Sequence, residues 1–311
     1  MKVLVTGGGG FIGSHVVDGL IAAGHEVSIV DNQSTGSRRN VNPAATFYEA
    51  DIRSPELAEI FDAARPEIVD HHAAHAEVRE SVDDPVYDAD VNVLGSINLF
   101  QQCVRTGVRK VIFISSGGAV YGEPQALPCA EDHPILPLSP YGASKAAVEL
   151  YLFLYKQTYG LDYTVLRYAN VYGPRQDMLA EEGRVVAIFS QLMLAGRQPT
   201  INGDGEQQRD FLHVADAVAA NLLALERGSG QAYNLGVGRP TSVNQLFALL
   251  KGLTSFAGEA AYGPARPGEV YRIFLDSSKA GRELGWEPRV GLEEGLRDTV
   301  RYFREQLSQQ T

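Results

Sequence analysis

The sequence predicts an α/β protein: a doubly wound parallel sheet with a smaller, partly interleaved C-terminal domain. Short apolar runs alternate with longer amphipathic stretches, as in a parallel sheet covered by helices on both faces. A glycine-rich turn, TGGGGFIG at 6–13, directly follows the first apolar run. The chain has 311 residues, which suits one large domain or two closely joined ones.

The elements follow from this alternation in chain order. Predicted strands are 2–5, 26–30, 67–73, 110–115 and 162–168, and predicted helices lie near 12–23, 54–64, 85–106 and 141–159. The rhythm breaks after residue 170 into shorter pieces with more glycine and proline. We therefore expect 1–170 to form the sheet domain and 171–204 with 231–311 to form the smaller domain. Segment 205–230, with a predicted helix at 214–226, is expected to return to the sheet domain.

The net charge and the cysteine content exclude several classes of partner and of structural site. The formal net charge of −11 and a pI near 5.1 argue against nucleic acid or an anionic membrane surface as the main partner. Cys103 and Cys129 show no paired spacing, so neither a disulfide framework nor a zinc site is expected. No leader and no membrane-spanning apolar run is recognised, which predicts a cytoplasmic protein.

The glycine turn has the spacing of a dinucleotide-binding loop. Gly7, Gly10 and Gly13 lie three apart between a predicted strand and a predicted helix. Glycine there permits a tight turn and close approach of backbone N–H groups to a diphosphate, and the helix N-terminus adds partial positive charge. A glycine-rich loop without a ligand is the alternative, and the strand and helix on either side favour the binding loop of a Rossmann fold.

Acidic residues after the next two strands fit the same ligand. Asp31 ends the second strand, where a carboxylate can accept the ribose hydroxyls of NAD and repel the 2′-phosphate of NADP. Asp31 could instead be a turn or cap residue. Arg38 and Arg39 come several residues later, which favours NAD. Asp51 and Ile52 could meet the adenine, although a helix cap at Asp51 is an equally good interpretation.

Tyr141 and Lys145 lie four apart after a plausible helix start, so both point to one side of the helix. A tyrosine and a lysine at this spacing are, taken alone, more often surface residues than catalytic residues. Here it follows a strand ending in Ser115 and Ser116 in a sheet already predicted to bind a dinucleotide. Removing hydride from a secondary alcohol requires a base for its hydroxyl proton, and a phenolate is suitable. Its pKa of about 10 would have to fall by roughly 3 units.

With these residues assembled, the chain resembles the extended short-chain dehydrogenase/reductase family over nearly its whole length, and most closely its UDP-glucose (UDP-galactose) 4-epimerase branch. The resemblance rests on TGGGGFIG, DN at 31–32, HHAAHAEVRESV, NVLG, YGASK, LRYANVYGPR, RDFLHV and RPGE. It implies that Tyr141 is the base, that Lys145 lowers its pKa and holds the nicotinamide ribose, and that Ser116 is the hydroxyl partner.

The hydroxyl position depends on how the loop is counted. Counted back from Tyr121 it falls on Gly117, and counted forward from Phe113 it falls on Ser116. One extra glycine reconciles the counts, so Ser116 is preferred. Related dehydratases carry an acidic residue just after the hydroxyl, where this chain has Gly117 and Gly118, so a dehydratase is disfavoured.

The resemblance also implies two sets of contacts. Expected cofactor contacts are Gly7, Gly10, Phe11, Ile12, Gly13, Asp31, Asn32, Asp51, Ile52, Ala73, Ala74, His75, Asn92, Ser115, Tyr141 and Lys145. Expected substrate contacts are Ser116, Tyr141, Asn170, Arg209, Arg266 and Glu269. The arginines suit phosphate oxygens, although a lone arginine is usually a surface ion pair. His71, His72 and His75 look like a metal cluster, but packing is the favoured interpretation and no metal is expected.

The predicted function is NAD-dependent 4-epimerisation of UDP-glucose and UDP-galactose through a 4-keto sugar, in galactose metabolism. The chain could instead act on a UDP-N-acetylhexosamine or a UDP-uronic acid, or be a sugar-nucleotide dehydrogenase or reductase. A non-catalytic sensor that binds the dinucleotide is the least favoured alternative. The resemblance also implies a homodimer, in which the helix carrying YLFLY (151–155) takes part.

Overall fold

The computed structural model describes residues 1–176, 185–265 and 270–310. Its strands are β1 (Lys2–Thr6), β2 (Glu26–Asp31), β3 (Thr46–Glu49), β4 (Ile68–His71), β5 (Lys110–Ser116), β6 (Asp162–Tyr168), β7 (Asn170–Tyr172), β8 (Thr200–Asn202), β9 (Gln208–His213), β10 (Gln231–Leu235), β11 (Pro240–Ser242) and β12 (Ala261–Gly263). Its α-helices are α1 (Phe11–Ala22), α2 (Leu57–Ala64), α3 (Val78–Asp83), α4 (Pro85–Ala89), α5 (Gly95–Thr106), α6 (Pro140–Tyr159), α7 (Val185–Leu194), α8 (Val214–Ala224), α9 (Val243–Thr254), α10 (Ser278–Leu284) and α11 (Leu292–Gln310).

Seven parallel strands form the main sheet in the order β10-β6-β5-β4-β1-β2-β3. The chain leaves β1 toward β2 and β3 and then crosses back to β4, so the strand order reverses between β1 and β4. At such a point, connections leave in opposite directions and open a crevice at the carboxyl ends of the strands. The predicted α/β class with a doubly wound parallel sheet is confirmed.

Two apolar layers explain why both faces of the sheet are covered. One core, which includes Val5, Val17 and Ala217, lies where α1 and α8 pack. The opposite core, which includes Leu4 and Phe100, joins the sheet to α2, α5 and α6. Strands β4 and β5 are therefore buried along almost their whole length. This burial accounts for the nearly continuous apolar runs seen in the sequence.

Helix α6 begins where the sequence predicts. The Ser139 side chain accepts a hydrogen bond from the Gly142 N–H at 3.2 Å, and Pro140 occupies the first helical turn. Serine as cap and proline in the first turn satisfy or remove N–H groups that the helix leaves unpaired. The helix then runs for 20 residues and carries Tyr141 and Lys145 on its first turns.

The smaller sheets and helices depart from the predicted domain boundaries. Strands β7, β9 and β11 form one small sheet, and β8 pairs with β12. Helix α8 packs on α1 as expected for 205–230, but β9 of that segment belongs to the small sheet. Strand β10, which the prediction placed in the smaller domain, joins the main sheet beside β6. The structure therefore groups β10, like α8, with the main sheet, and the division of the chain into two domains stays a prediction.

Two further differences lie within the first half. Strand β3 is absent from the predicted apolar runs because it is a short edge strand whose residues are exposed or half-buried. The predicted helix 85–106 is α4, one π-helical turn at Asp90–Leu94 and then α5. No helix among the described residues combines the length and the apolar character needed to cross a membrane.

Candidate active site

A cavity of about 1200 Å³ lies at the carboxyl edge of the main sheet. Its walls include the glycine loop, the ends of several central strands, and Asn202, Arg209 and Ala265 from the smaller region. The predicted residues that line it are Gly7, Gly10, Phe11, Ile12, Gly13, Asp31, Asn32, Asp51, Ile52, Ala73, Ala74, Ser115, Ser116, Tyr141, Lys145, Asn170 and Arg209. Predicted cofactor and substrate contacts therefore share one cavity. Arg266 and Glu269 lie outside the described residues.

The glycine loop has no space for side chains. Gly7 adopts φ 69°, and a Cβ there would lie 2.7 Å from the Ala73 backbone nitrogen. A Cβ on Gly13 would overlap the Gly7 carbonyl oxygen. In the described part of the chain no side chain caps α1 at Gly10, so its first N–H groups stay available to a ligand. This cradle fits the diphosphate of a dinucleotide.

Asp31 is held in place at the end of β2. Its carboxylate accepts hydrogen bonds from the Gly9 N–H at 2.8 Å and the Gln33 N–H at 2.7 Å, and the residue is buried. The turn role considered from the sequence is thus real, and it places the carboxylate in the cavity lining beside Asn32. A carboxylate at this position fits the ribose hydroxyls of NAD.

Asp51 is not a helix cap. Helix α2 has Glu56 at its N-cap, whereas the Asp51 carboxylate accepts hydrogen bonds from the Arg53 backbone N–H and guanidinium and from Asn32. The Arg53 hydrogen bonds are the main cause that lowers the pKa of Asp51 to about 2. Asp51 is therefore ionised at neutral pH and joins the ends of β2 and β3.

His75 and Asn92, which are predicted cofactor contacts, are not among the described residues that line the cavity, and their contact with the cofactor stays a prediction. The Asn92 amide accepts from the His75 N–H at 2.8 Å and donates to the His75 carbonyl oxygen at 2.9 Å. Asn92 also donates to the Asp88 carboxylate at 3.0 Å. The two residues thus stabilise the loop after β4 through hydrogen bonds to each other and to Asp88. Motif spacing alone does not distinguish this role from direct contact with the cofactor.

The neighbouring histidines face opposite layers of the fold. His71 lies between the Thr6 and Ser96 hydroxyls, and burial holds its pKa well below the ordinary value. His72 lines the cavity, a position that the sequence analysis did not assign to any ligand. Strand alternation is the signal that could have found it, because His72 must face away from buried His71.

Tyr141 and Ser116 form the hydroxyl pair that the resemblance implies. A hydrogen bond with Ser116 lowers the pKa of the Tyr141 phenol, but burial outweighs it and raises the pKa to about 12, with Asp88 and Glu77 adding to the rise. The Lys145 ammonium donates to the Ile114 carbonyl oxygen at 2.9 Å and lies 5.8 Å from the centre of the Tyr141 ring. Burial lowers the pKa of Lys145 to about 8, against the raising effects of Asp88 and Glu149.

In the protein without cofactor, burial thus opposes the lowering of the tyrosine pKa that the reaction requires. Transferring a phenolate and an ammonium into a buried site disfavours both charged forms. The phenol of the protein by itself is therefore neutral at neutral pH. Lys145 and, when bound, oxidised nicotinamide would each add a positive charge that lowers the pKa of the phenol.

Ser115 and Ser116 have separate partners. The Ser115 hydroxyl donates to Glu149 at 2.6 Å, and the Glu149 carboxylate pairs with the buried Arg167 guanidinium at 2.5 Å. An added Cβ on Gly118 would lie 3.8 Å from both the Ser116 hydroxyl oxygen and the Asn170 amide oxygen. Ser116 therefore lies close to a predicted substrate contact, whereas the Ser115 hydroxyl is held by the ion pair.

We predict that Ser116→Ala lowers kcat by about 10² and that Ser115→Ala leaves kcat near the wild-type value. Ser116 is the hydroxyl bonded to the base, whereas Ser115 contributes about 1 kcal/mol to stability through Glu149. Steady-state kinetics and thermal unfolding of both variants test the pair. The reverse order of effects on kcat would move the hydroxyl partner to Ser115.

Gly117 has little space for a side chain, whereas Gly118 has only ordinary van der Waals contacts. A Cβ on Gly117 would lie 2.5 Å from the Leu275 side chain and 3.3 Å from the Arg167 carbonyl oxygen. A larger acidic side chain at this position would require the Leu275 side chain to move. Close packing thus adds to the sequence argument against a dehydratase.

Three comparisons place this geometry among known proteins. Residues 3–236 match the NAD-dependent epimerase/dehydratase family. The UDP-glucose 4-epimerase of Mycolicibacterium smegmatis is 45% identical over 310 residues, which cover 98% of this chain and 99% of that protein. The crystal structure of the Thermotoga maritima UDP-glucose 4-epimerase with UDP-glucose is 52% identical, with a TM-score of 0.97 over 99% of this chain and 100% of that one. The Thermus thermophilus UDP-glucose 4-epimerase complex with NAD is 45% identical, with a TM-score of 0.94 over 98% and 99% of the two chains.

Proposed function

The chain belongs to the NAD-dependent epimerase/dehydratase family, and we propose that it is an NAD-dependent UDP-glucose 4-epimerase. It interconverts UDP-glucose and UDP-galactose through a transient 4-keto sugar. The observation that carries this conclusion is the Tyr141–Ser116 pair, which lies in the same cavity as the glycine cradle and Asp31. High identity over nearly the full length of known 4-epimerases supports it.

The residues divide the reaction between them. Tyr141 accepts the proton of the sugar 4-hydroxyl and returns it, with the Ser116 hydroxyl between phenol and sugar oxygen. When bound, the nicotinamide of NAD supplies the hydride acceptor and donor. Lys145 adds positive charge beside the phenol and carries donors for the nicotinamide ribose. Asn170 and Arg209 anchor the UDP portion, so that the sugar can turn and present its other face.

The substrate contacts must hold the nucleotide firmly and the sugar loosely. Inversion at carbon 4 requires the keto sugar to rotate while the nucleotide stays bound, so the strong contacts belong on the diphosphate. Arg209 lines the cavity from β9, and its guanidinium donates to the Gln208 carbonyl oxygen at 3.0 Å. Arginine side chains suit the geometry of phosphate oxygens, which supports Arg209 as a contact for the diphosphate.

The decisive experiment is incubation of purified protein with UDP-glucose and no added cofactor. We expect UDP-galactose to appear by chromatography until the two sugars reach equilibrium, with no accumulation of NADH. Accumulating NADH would instead assign a dehydrogenase. A protein that retains NAD and converts no UDP-hexose, UDP-N-acetylhexosamine or UDP-uronic acid would support a non-catalytic role.

We infer that the chain forms a homodimer through α6. On this helix Leu152 and Tyr155 are buried, whereas Leu150, Phe153 and Leu154 are 72%, 56% and 49% exposed. Three large apolar side chains exposed on one helix are typical of an interface. We predict a dimer in sedimentation velocity and dissociation by Phe153→Arg, with Lys156→Arg as a control on the same helix. A wild-type monomer at micromolar concentration would refute this. We also propose a cytoplasmic location and a role in galactose metabolism.

A further inference from the structure

The loop that follows Ser116 begins with two glycines, Gly117 and Gly118. Glycine loses more conformational freedom on ordering than any other residue, so two in succession fix the direction of the preceding hydroxyl only weakly. The loop nevertheless turns back on Ser116, because the Ala119 and Val120 N–H groups both donate to the Ser116 carbonyl oxygen, at 3.1 and 3.0 Å. The position of Ser116 therefore depends on what holds the far end of this turn, just after Val120.

Tyr121 lies at the far end of the turn and is anchored by its hydroxyl. The residue is completely buried and packs with Cys129 and Leu275 in a small apolar cluster. Its hydroxyl donates to the Asn234 amide oxygen at 2.6 Å and accepts a hydrogen bond from Arg167 Nη1 at 2.8 Å. Burial raises the pKa of the Tyr121 phenol to about 12, so the hydroxyl keeps its proton at neutral pH and makes both bonds at once.

The Arg167 guanidinium joins this anchor to the helix that carries the predicted base. Arg167 lies on β6, and its Nε donates to the Glu149 carboxylate of α6 at 3.0 Å. The two side chains are 6% and 9% exposed, so they form a buried ion pair. The planar guanidinium holds the carboxylate through Nε and Nη2 and reaches the Tyr121 hydroxyl through Nη1. One buried side chain thus connects the end of the Ser116 loop to α6, the helix of Tyr141.

We propose that Tyr121 and Arg167 are positioning residues for the reaction, which together fix the place of the Ser116 hydroxyl against the base. This rests on the proposed function, since it takes the pair of Ser116 and Tyr141 as the site of proton transfer. Neither Tyr121 nor Arg167 lines the cavity that the described residues form, so both act through Ser116. The external anchor compensates for the freedom that the two glycines bring to this loop.

Epimerisation of UDP-glucose by the full-length protein loaded with NAD tests this role. We expect Tyr121→Phe to lower kcat about tenfold, because a small displacement of a reacting group is costly, and to leave KM and NAD content unchanged. Arg167→Lys keeps the positive charge beside Glu149 but lacks the fork that reaches the Tyr121 hydroxyl, so it should give the same loss. Tyr233→Phe is the matched control, because it removes another buried hydroxyl, which donates to Glu283 at 2.9 Å away from the cavity formed by the described residues.

A double-mutant cycle separates positioning from a general loss of structure. Once Ser116→Ala has removed the hydroxyl, adding Tyr121→Phe should lower kcat no further. Thermal unfolding identifies the variants that are folded at the assay temperature, and Arg167→Lys, which retains the ion pair, carries the same cycle if Tyr121→Phe is not.

Wild-type kcat in the folded variants overturns the proposal. So does a tenfold loss that persists in the Ser116→Ala background, because the anchor would then act on something other than that hydroxyl. Wild-type protein that binds NAD and converts no UDP-glucose is a separate result, which refutes the proposed function and this inference with it.

Discussion

Tyr141→Phe lowers kcat by about 10³ while the variant folds and retains NAD. The expected loss is large because the variant keeps the ring and removes the hydroxyl that exchanges a proton with the sugar. Phenylalanine keeps the ring, so removal of one oxygen leaves the surrounding packing in place. The measurements are steady-state epimerisation, nucleotide content of the purified protein and thermal unfolding.

Tyr151→Phe is a control for this variant on the same helix. Tyr151 packs against the core on the side of the sheet where α5 and α6 lie and does not line the cavity formed by the described residues. We expect near wild-type kcat in the control. Wild-type turnover in Tyr141→Phe would require a different base, and loss of NAD together with turnover would assign the phenol to cofactor binding.

The main sheet was predictable from the sequence because its signals are local. The apolar run before the glycine turn is β1, and Ser139 with Pro140 marks the start of α6. Strand β3 has too few buried residues to give a periodic signal. Strand β10 was not predicted, and its place beside β6 depends on contacts with residues far away in the chain. The local sequence pattern predicts whether a segment is a strand or a helix better than it predicts which elements lie beside it.

The sequence predicted where the candidate site lies better than it predicted the directions and the ionisation of its side chains. Motif residues at strand ends reached one cavity because parallel strands end at the same edge of a sheet. His75 and Asn92 lie outside the described cavity lining and His72 within it, and the sequence could not predict this because the direction of a loop side chain depends on its tertiary partners. The raised pKa of Tyr141 has a similar origin. Burial of the phenol depends on the whole fold and cannot be predicted from the spacing between Tyr141 and Lys145.

Lys145→Met lowers kcat at pH 7 by about 10², and the deficit shrinks as the pH rises. An ammonium about 6 Å from the phenol is worth roughly 3 kcal/mol at an effective dielectric constant of 20, or about two units of tyrosine pKa. Burial lowers the pKa of Lys145 to about 8. The wild-type lysine is therefore charged below about pH 8 and loses its charge above it, whereas the higher phenol pKa of the variant favours activity at high pH.

The ratio of wild-type to variant kcat should therefore be largest at pH 7 and fall steadily toward pH 9.5. Lys251→Met, which removes an ammonium paired with Glu259 at the surface, should show a flat ratio near one. Methionine matches the length of the lysine stem and loses the hydrogen bond to the Ile114 carbonyl oxygen, so stability falls in Lys145→Met at every pH. A ratio for Lys145→Met that is constant across this range would mean that the lysine acts by position alone. Its charge would then have no part in ionising Tyr141.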